Sequence, residues 1–568
     1  MHPTVLSVFL YTLYQYLLPK PIPGIPYNKE AAQSLLGDIY RLQKESPNKF
    51  LTWIIEQSRR SGSPIFQVWL GPFQKPSVVI ADFREGQDIL MRRKEFDRAD
   101  FSRDILSGEA RSFHIVLKNG PQWKAQRRLL QDLMTPAFLH RVAAPEIYKG
   151  ALRLLELWAK KIHIANGRPF AAENDIFYSA LDAILDFGFG DATPIRALTP
   201  QIAKISSLSN AQVQLLREAV TDEKRFDFPV APIDPVLETS LQAAENISRV
   251  ASTGFPKLAW SVIGLMPSVR RGRIIRSDFI KDQILQAVER LKTQGKNQGD
   301  SNVKSAIDLM VQREEAIAEN EGRHAPNWLG ILTDETMGFV TAGHDTTSTT
   351  LCWGLKFISD NPDVQQKLLE NLHSAHSSAL AEKRLPSPSE ITGSSIPYLD
   401  AVVEEMLRLG HTILSQDRQC NKDTIVLGKH LPKGTHVIIP NKGPSFTEPG
   451  YPISESLRSP SCQAAAKGYG IRAWDEEEMD RFKPERWLVQ HEQGDEGYSA
   501  TAGPTLPFGL GLRGCFGRKL AYMELKLMTT LLVWAFEFQR CPRSLSSYDC
   551  IEALTRKPVQ CFVRLKVR

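Results

Sequence analysis

"PFGLGLRGCFGRKLAYMEL", Pro507 to Leu525, is the stretch that decides the fold, and it reads two ways. Gly509, Gly511 and Gly514 match the G-x-G-x-x-G pattern of a dinucleotide-binding loop. The same residues also place Cys515 where a glycine-rich loop gives way to a helical pattern. A phosphate cradle needs a buried strand ahead of it and a βαβ unit behind it. The preceding "TAGPTLP" contains Pro504 and Pro507, poor material for a central strand. Glu537 stands about where a ribose-binding acid would, but only about 50 residues remain after Gly514, and no second βα unit fits there. The thiolate reading uses more of the residues. Gly509, Gly511, Gly514 and Gly517 permit tight turns, and the helix "RKLAYMELKLMTTLLVWAFEF" begins just past Cys515. Free N–H groups and a positive dipole end favour an anion there, which biases a sulfur towards the thiolate that ligates metal. A merely buried cysteine leaves four glycines and Arg513 around it unexplained.

The whole chain is permissive rather than diagnostic. Its 568 residues are enough for a large core, and the net charge of +6 is spread out with no Lys/Arg tract, so no nucleic-acid partner is expected. Seven cysteines lack both C-x-x-C spacing and an even count, which argues against a zinc site or a disulfide framework and for a reducing compartment. At the N-terminus, Val5 to Leu18 is uncharged and mostly apolar, with Lys20 behind it. A spanning helix needs ~20 apolar residues, so residues 1–20 are expected to form a short membrane anchor or an amphipathic docking helix. The segment lacks a basic leader and a cleavage site, which argues against a removable signal peptide, and Lys20 favours a cytosolic side for the domain C-terminal to it. Pro21, Pro23 and Pro26 make residues 21–30 a stiff linker.

Beyond the linker, "IFQVWLGPFQKPSVVIA" (Ile65–Ala81) predicts two short strands around a Gly-Pro turn. Long helical patterns occupy 118–165, 275–295, 305–320, 333–359, 363–383, 396–409 and 516–536. Strand-like pieces return at Asp423–Pro440 and at the C-terminal "QCFVRLKV". Polar stretches at 292–304 and 441–475 read as surface loops or insertions. Residues 31–568 therefore read as one mainly α (α+β) domain, large and helical with a minor β-sheet region.

Three further motifs accompany the cysteine loop. In "VTAGHDTTSTT", Ala342 and Thr346 are four apart on one helix face, and small residues at 342 and 343 would let a flat ligand approach. Taken alone, Thr and Asp within a helix usually face solvent or bond to the preceding turn. "VVEEMLRL" contains Glu405 and Arg408 at i,i+3, by itself a commonplace surface ion pair. "GPQWKAQRRLL" sets Trp123 and Arg127 on one face, most simply read as packing plus snorkelling. Together, Phe508-x-x-Gly511-x-Arg513-x-Cys515-x-Gly517 and these motifs resemble the cytochrome P-450 monooxygenases over about residues 25 to 568.

That resemblance implies haem b (iron protoporphyrin IX), with Cys515 as the proximal iron ligand and Phe508 beside the sulfur. It implies Arg513, Trp123, Arg127 and Arg418 as partners of the haem propionates. It makes Asp345 and Thr346 the acid–alcohol pair that delivers protons to bound dioxygen. It joins Glu405, Arg408 and Arg486, the last from "KPERW", in a structural triad that fixes the cysteine loop. The family usually has a proline soon after the Glu405/Arg408 motif, where this chain reads Gly410-His411, and the 441–475 stretch is longer than usual. Both departures look like a fungal branch devoted to secondary metabolism. The expected activity is insertion of one oxygen atom from O₂ into a lipophilic small molecule, a terpenoid or polyketide-type metabolite. The haem domain leaves no room for a flavin module, so electrons are expected from a separate NADPH-dependent flavoprotein reductase, with cytochrome b5 as an optional second donor. The expected setting is the endoplasmic reticulum membrane, catalytic domain towards the cytosol. A haem-thiolate isomerase or dehydratase without a reductase is the alternative, and a nicotinamide dehydrogenase the rival from another class. Candidate pocket residues are Phe113, His114, Ala342, Thr412, Ile413, Leu414 and Leu554, largely apolar with His114 and Thr412 as polar anchors.

Overall fold

A computed structural model describes residues 3–190, 193–219, 225–294, 303–322, 328–469, 476–490 and 496–568. Helices dominate, and the longest, Trp328–Asp360, runs 33 residues through the middle of the molecule. Against it pack Glu173–Phe189, Pro397–Gly410 and Arg518–Ala535, with Ala144–Ala165 laid over the first and last of these, and their shared faces form the main core. A smaller core lies under a five-stranded sheet in the order Ile65–Val68, Ser77–Ile80, His436–Pro440, Ser415–Cys420, Phe96–Asp97. Ser77–Ile80 and His436–Pro440 run parallel, and the other neighbours are antiparallel. The fold is mainly α with minor sheets, as the sequence predicts.

The expected helix over 118–165 is broken into Pro121–Leu130, a 3₁₀ turn at Gln131–Met134, and a helical run from Pro136 to Ala165 that passes through a π-helical stretch at Leu139–Ala143. Thr135 and Pro136 cause the break: the threonine accepts the N–H of Phe138, and proline cannot continue the preceding helix. The 441–475 stretch is more than a surface loop over its described part. Arg458 pairs with Asp82 at 2.7 Å, and Ser459 and Ser461 each donate to Asp88 at 2.6 Å, so the segment clamps the helix Phe83–Met91. Residues 470–475 of that stretch, and 295–302 of the polar run at 292–304, lie outside the described residues.

At the N-terminus, Pro3–Leu17 is helical for 15 residues, a rise of about 22 Å at ~1.5 Å per residue against a hydrocarbon core of ~30 Å. Among the described residues no helix is long and apolar enough to cross a membrane.

Candidate functional site

The glycine loop owes its course to two left-handed residues. Gly509 has φ +59° and Gly511 φ +66°, and a Cβ on Gly511 would sit 2.3 Å from the carbonyl oxygen of Leu90. The Cys515 N–H donates to Phe508 O at 2.7 Å, and the helix Arg518–Ala535 starts immediately after Gly517. Cys515 is an exposed free thiol, and its exposure is to a cavity of about 340 Å³ inside the protein. Burial among protein atoms pushes the thiol up, while the Gly517 N–H and the charges of Arg127, Arg518 and Arg98 pull it down. The helix start alone therefore does not make it a thiolate, contrary to expectation; a bound metal deprotonates a coordinating thiol outright.

The long helix Trp328–Asp360 forms the wall with Ala342 and Thr346, and the Thr346 hydroxyl donates to Ala342 O at 2.8 Å. Gly343 works differently from the sequence reading. A Cβ there would lie 2.7 Å from Ile184, so its smallness seats the neighbouring helix Glu173–Phe189 rather than only a flat ligand. Asp345 does not reach the cavity wall. It turns towards the C-terminal hairpin, where Thr555 donates to Oδ2 at 2.9 Å and Lys557 Nζ lies 2.7 Å from Oδ1. Adjacent helix positions point about 100° apart, so Thr346 and Thr347 face the cavity while Asp345, one step the other way, faces the hairpin.

At one end of the cavity the wall turns cationic. Arg98, Arg127, Arg513 and Trp123 line it, and Arg418 lies buried behind them. Arg513 sits 5.0 Å over the Trp123 ring and donates to Leu117 O at 2.6 Å; Arg127 sits 4.5 Å over Phe516. Yet Arg98 Nε, Arg418 Nη2, and Arg513 Nε and Nη1 are buried without partners among the described residues. Burial and then the repulsion of Arg98 push Arg418 down to about 9 and Arg513 to about 10. Crowded, under-bonded guanidiniums call for anionic acceptors. The two carboxylates of haem b meet that demand, the apolar wall suits its macrocycle, and the cysteine supplies an iron ligand, so these residues fit the group. Arg98 was missed by sequence reasoning, because a lone arginine in "FDRAD" belongs to none of the recognised motifs.

Glu405, Arg408 and Arg486 come together below the loop. Arg408 donates to both Glu405 oxygens at 2.8 Å, and Arg486 Nε donates to Oε1 at 3.0 Å. Trp487 Nε1 adds a bond to Oε2 at 2.8 Å, a fourth member visible in "KPERW" but not read as such. The Trp487 ring lies where a Cβ on Gly503 would come within 2.5 Å, so the cluster abuts the strand of chain that leads into Pro507. Neighbouring Glu404 accepts from Tyr522 at 2.5 Å, tying the same helix to the one just past Cys515.

Of the candidate pocket residues, Phe113, His114, Ala342, Thr412 and Ile413 line the cavity. Leu414 and Leu554 do not. Leu414 sits just ahead of the strand Ser415–Cys420, its carbonyl accepting the Asn441 N–H at 3.0 Å, while Leu554 packs against Ile247, Val250 and Trp260. Phe508 is on the wall, its ring 5.1 Å from that of Tyr522.

Comparison with known proteins agrees with this geometry. The family model described as Cytochrome P450 matches residues 33–443 and 474–560, leaving out most of the clamp segment. The chain is 40% identical to Cytochrome P450 monooxygenase TRI13 of Fusarium sporotrichioides, over 98% of this chain and 97% of that one. It is 37% identical to Cytochrome P450 monooxygenase xilC of Penicillium rubens, over 100% and 96%. With Cytochrome P450 monooxygenase GME11363 of Pestalotiopsis microspora it shares 35% identity over 99% and 97%. A thiol-bearing glycine loop, an arginine end built for carboxylates and these relatives lead to one assignment: the chain belongs to the cytochrome P450 family, as a haem-thiolate monooxygenase carrying haem b.

Proposed function

We propose that this enzyme inserts one oxygen atom from O₂ into a lipophilic terpenoid or polyketide-type molecule, using electrons from NADPH through a separate flavoprotein reductase, with cytochrome b5 as an optional second donor. The observation that carries the reading is Cys515 opening on the same largely apolar cavity that Ala342 and Thr346 line. Haem bound there supplies iron that activates dioxygen, and a thiolate ligand favours O–O cleavage. Cys515 holds the iron from the loop side. Arg98, Arg127, Arg418 and Arg513, with Trp123, neutralise and orient the two carboxylates. Phe508 shields the sulfur from water. The Thr346 hydroxyl holds a proton at the cavity face, and Asp345, one residue away, takes protons arriving along the C-terminal hairpin. Phe113, Ile115, Ile184, Phe187, Phe339 and Leu133 exclude water and select an apolar substrate. Glu405, Arg408, Arg486 and Trp487 keep the loop in place.

A membrane surface is the setting this reading favours. The helix Pro3–Leu17 exposes Val8, Phe9, Leu10, Tyr11 and Tyr16. Tyr14 bonds Gln33 O at 2.9 Å, and a Cβ on Gly254 would lie 3.8 Å from Ile39, so the chain that follows the N-terminal helix passes beside the turn at 254. Just past it, Leu258, Val262, Leu265 and Met266 are exposed. We assign this shared apolar edge to a lipid surface, that of the endoplasmic reticulum with the catalytic domain on the cytosolic side.

The test is the absorption spectrum of the reduced, carbon monoxide-treated protein, and then turnover with isotopically labelled dioxygen, NADPH and a flavoprotein reductase. Cys515→Ser should lose the haem-thiolate spectrum and all activity, because a hydroxyl does not donate like a thiolate. A normal spectrum in that variant overturns the assignment of Cys515, and turnover without reductase or label overturns the monooxygenase reading.

A further inference from the structure

The cavity wall carries a buried acid–base pair that oxygen activation leaves unused. His114 and Glu335 both line the cavity and are both buried. Glu335 Oε2 lies 2.8 Å from His114 Nδ1, and Oε1 accepts the backbone N–H of the same residue at 2.8 Å. One position earlier on the helix, Asp334 accepts the Ser112 N–H at 2.7 Å. Two successive carboxylates thus staple residues 112–114 to the long helix. Phe113 seats against Gly338, where a Cβ would come within 2.5 Å of the ring. The imidazole stands edge-on between Phe113 and Phe516, at 4.7 and 5.9 Å, and so has one orientation. Among the described residues, Nε2 has no hydrogen-bond partner.

The proton count of the pair fixes what Nε2 offers. With one proton shared between Glu335 and Nδ1, the pair is neutral either as imidazolium with carboxylate or as imidazole with carboxylic acid. In both forms Nε2 carries hydrogen. A bare Nε2 requires a buried net negative charge, which desolvation and the neighbouring Asp334 both oppose. Arg127 is a cation within range of Glu335, but it stacks on Phe516 and makes no ion pair with Glu335 among the described residues.

We propose that His114 donates from Nε2 to an oxygen acceptor on the substrate, and that Glu335 is the positioning residue that keeps it a donor. The cavity then selects a lipophilic scaffold that already bears a carbonyl or ether oxygen, and holds it by that oxygen while an apolar carbon faces Thr346. This rests on the cavity being the substrate chamber of the monooxygenase.

The experiment compares trans-1-decalone with trans-decalin as probes of the haem-loaded enzyme, reading dissociation constants from the shift of the main haem absorption band. The hydrocarbon-to-ketone ratio of those constants should fall roughly tenfold in His114→Phe, the size of one well-made hydrogen bond. His114→Gln, whose amide N–H can still donate, should recover part of it. In the wild type the carbonyl stretch of bound decalone should move to lower wavenumber than in alkane solvent, and Glu335→Leu should abolish that shift while keeping the carbon monoxide spectrum. An unchanged ratio in His114→Phe, or an unshifted carbonyl in the wild type, overturns the proposal. If His114 instead serves the haem carboxylates, His114→Phe retains less haem and its haem-loaded fraction keeps the wild-type ratio, which also overturns it. Failure of the spectrum in the wild type would strike the haem reading itself, a separate outcome.

Discussion

The Thr346 hydroxyl donates to Ala342 O at 2.8 Å, so at rest its hydrogen is engaged and its lone pairs face the cavity. A group so placed can accept a hydrogen bond from water and pass a proton on when the helix carbonyl releases it. Thr346→Ala should keep haem, the carbon monoxide spectrum and substrate binding, while diverting NADPH-derived electrons to hydrogen peroxide. Product formation should drop by roughly 10²–10⁴-fold, the usual contribution of a general acid–base group. Measuring NADPH consumed, peroxide released and product formed checks it, and unchanged coupling removes the relay. A second residue on the wall, Glu524, makes a pH prediction. Burial, opposed only by a bond to Thr347, raises its carboxyl from 4.5 to about 8. Below ~4.5 the acid is protonated folded and unfolded, and stability is whole; as pH rises the unfolded chain ionises first, and stability falls until about 8. Glu524→Gln, a neutral mimic, should therefore gain on the wild type by up to roughly 1.4 kcal/mol per pH unit across that window and level off above it. Urea unfolding of both holoenzymes at several pH values reads the difference, and parallel curves would mean that Glu524 is already ionised in the folded state.

At the scale of elements, the cysteine loop is held by what lies beneath it. Glu405 gathers five N–H donors, two from Arg408 and one each from Arg486, Trp487 and the Lys483 backbone. Glu405→Ala leaves the buried Arg408 and the partly buried Arg486 without their carboxylate, a loss of about 3–5 kcal/mol. The variant should misfold or fail to retain haem rather than turn over slowly; thermal unfolding with haem quantitation checks it, and a holoprotein of normal stability would reduce the cluster to an incidental contact. This cluster was legible because "EEMLR" and "KPERW" are contiguous strings, as was the loop with its four glycines. The helix Glu173–Phe189 was not. Most of its residues are buried, Asp182 and Asp186 included, so it shows no apolar stripe for periodicity to find. Asp182 instead accepts the N–H groups of Ala197 and Leu198, pairing that sequence shows no sign of. Nor could spacing say which way Asp345 and Leu414 face. One residue along a helix turns the outlook of a side chain by about 100°, and one along a strand reverses it, and motif letters carry no such angle. Arg98 reaches the cavity only because Phe96–Asp97 pairs with Ser415–Cys420, a contact between segments more than three hundred residues apart.

For the whole molecule, the question is how a chain with no described membrane-crossing helix would meet lipophilic substrate. The helix Pro3–Leu17 is too short to span, yet its exposed Val8, Phe9, Leu10 and Tyr11 and the exposed Leu258, Val262, Leu265 and Met266 are too apolar to leave in water without consequence. Each such side chain, if buried in an acyl layer, contributes at ~25 cal/mol per Å² of apolar area. Two patches that meet the same lipid surface would give additive anchoring, which a single patch gives only weakly. Sedimentation with phosphatidylcholine vesicles should carry down the full chain. A chain that begins at Pro21 should bind them several-fold more weakly yet keep its haem spectrum, since no haem-facing residue lies upstream. Adding Leu258→Ser, Val262→Ser and Leu265→Ser to that shortened chain should abolish sedimentation, again with the spectrum intact, because Ser at these exposed positions removes no core packing. Full-strength binding by the shortened triple variant would place the lipid contact elsewhere, and loss of haem on removing residues 1–20 would make that segment part of the catalytic fold.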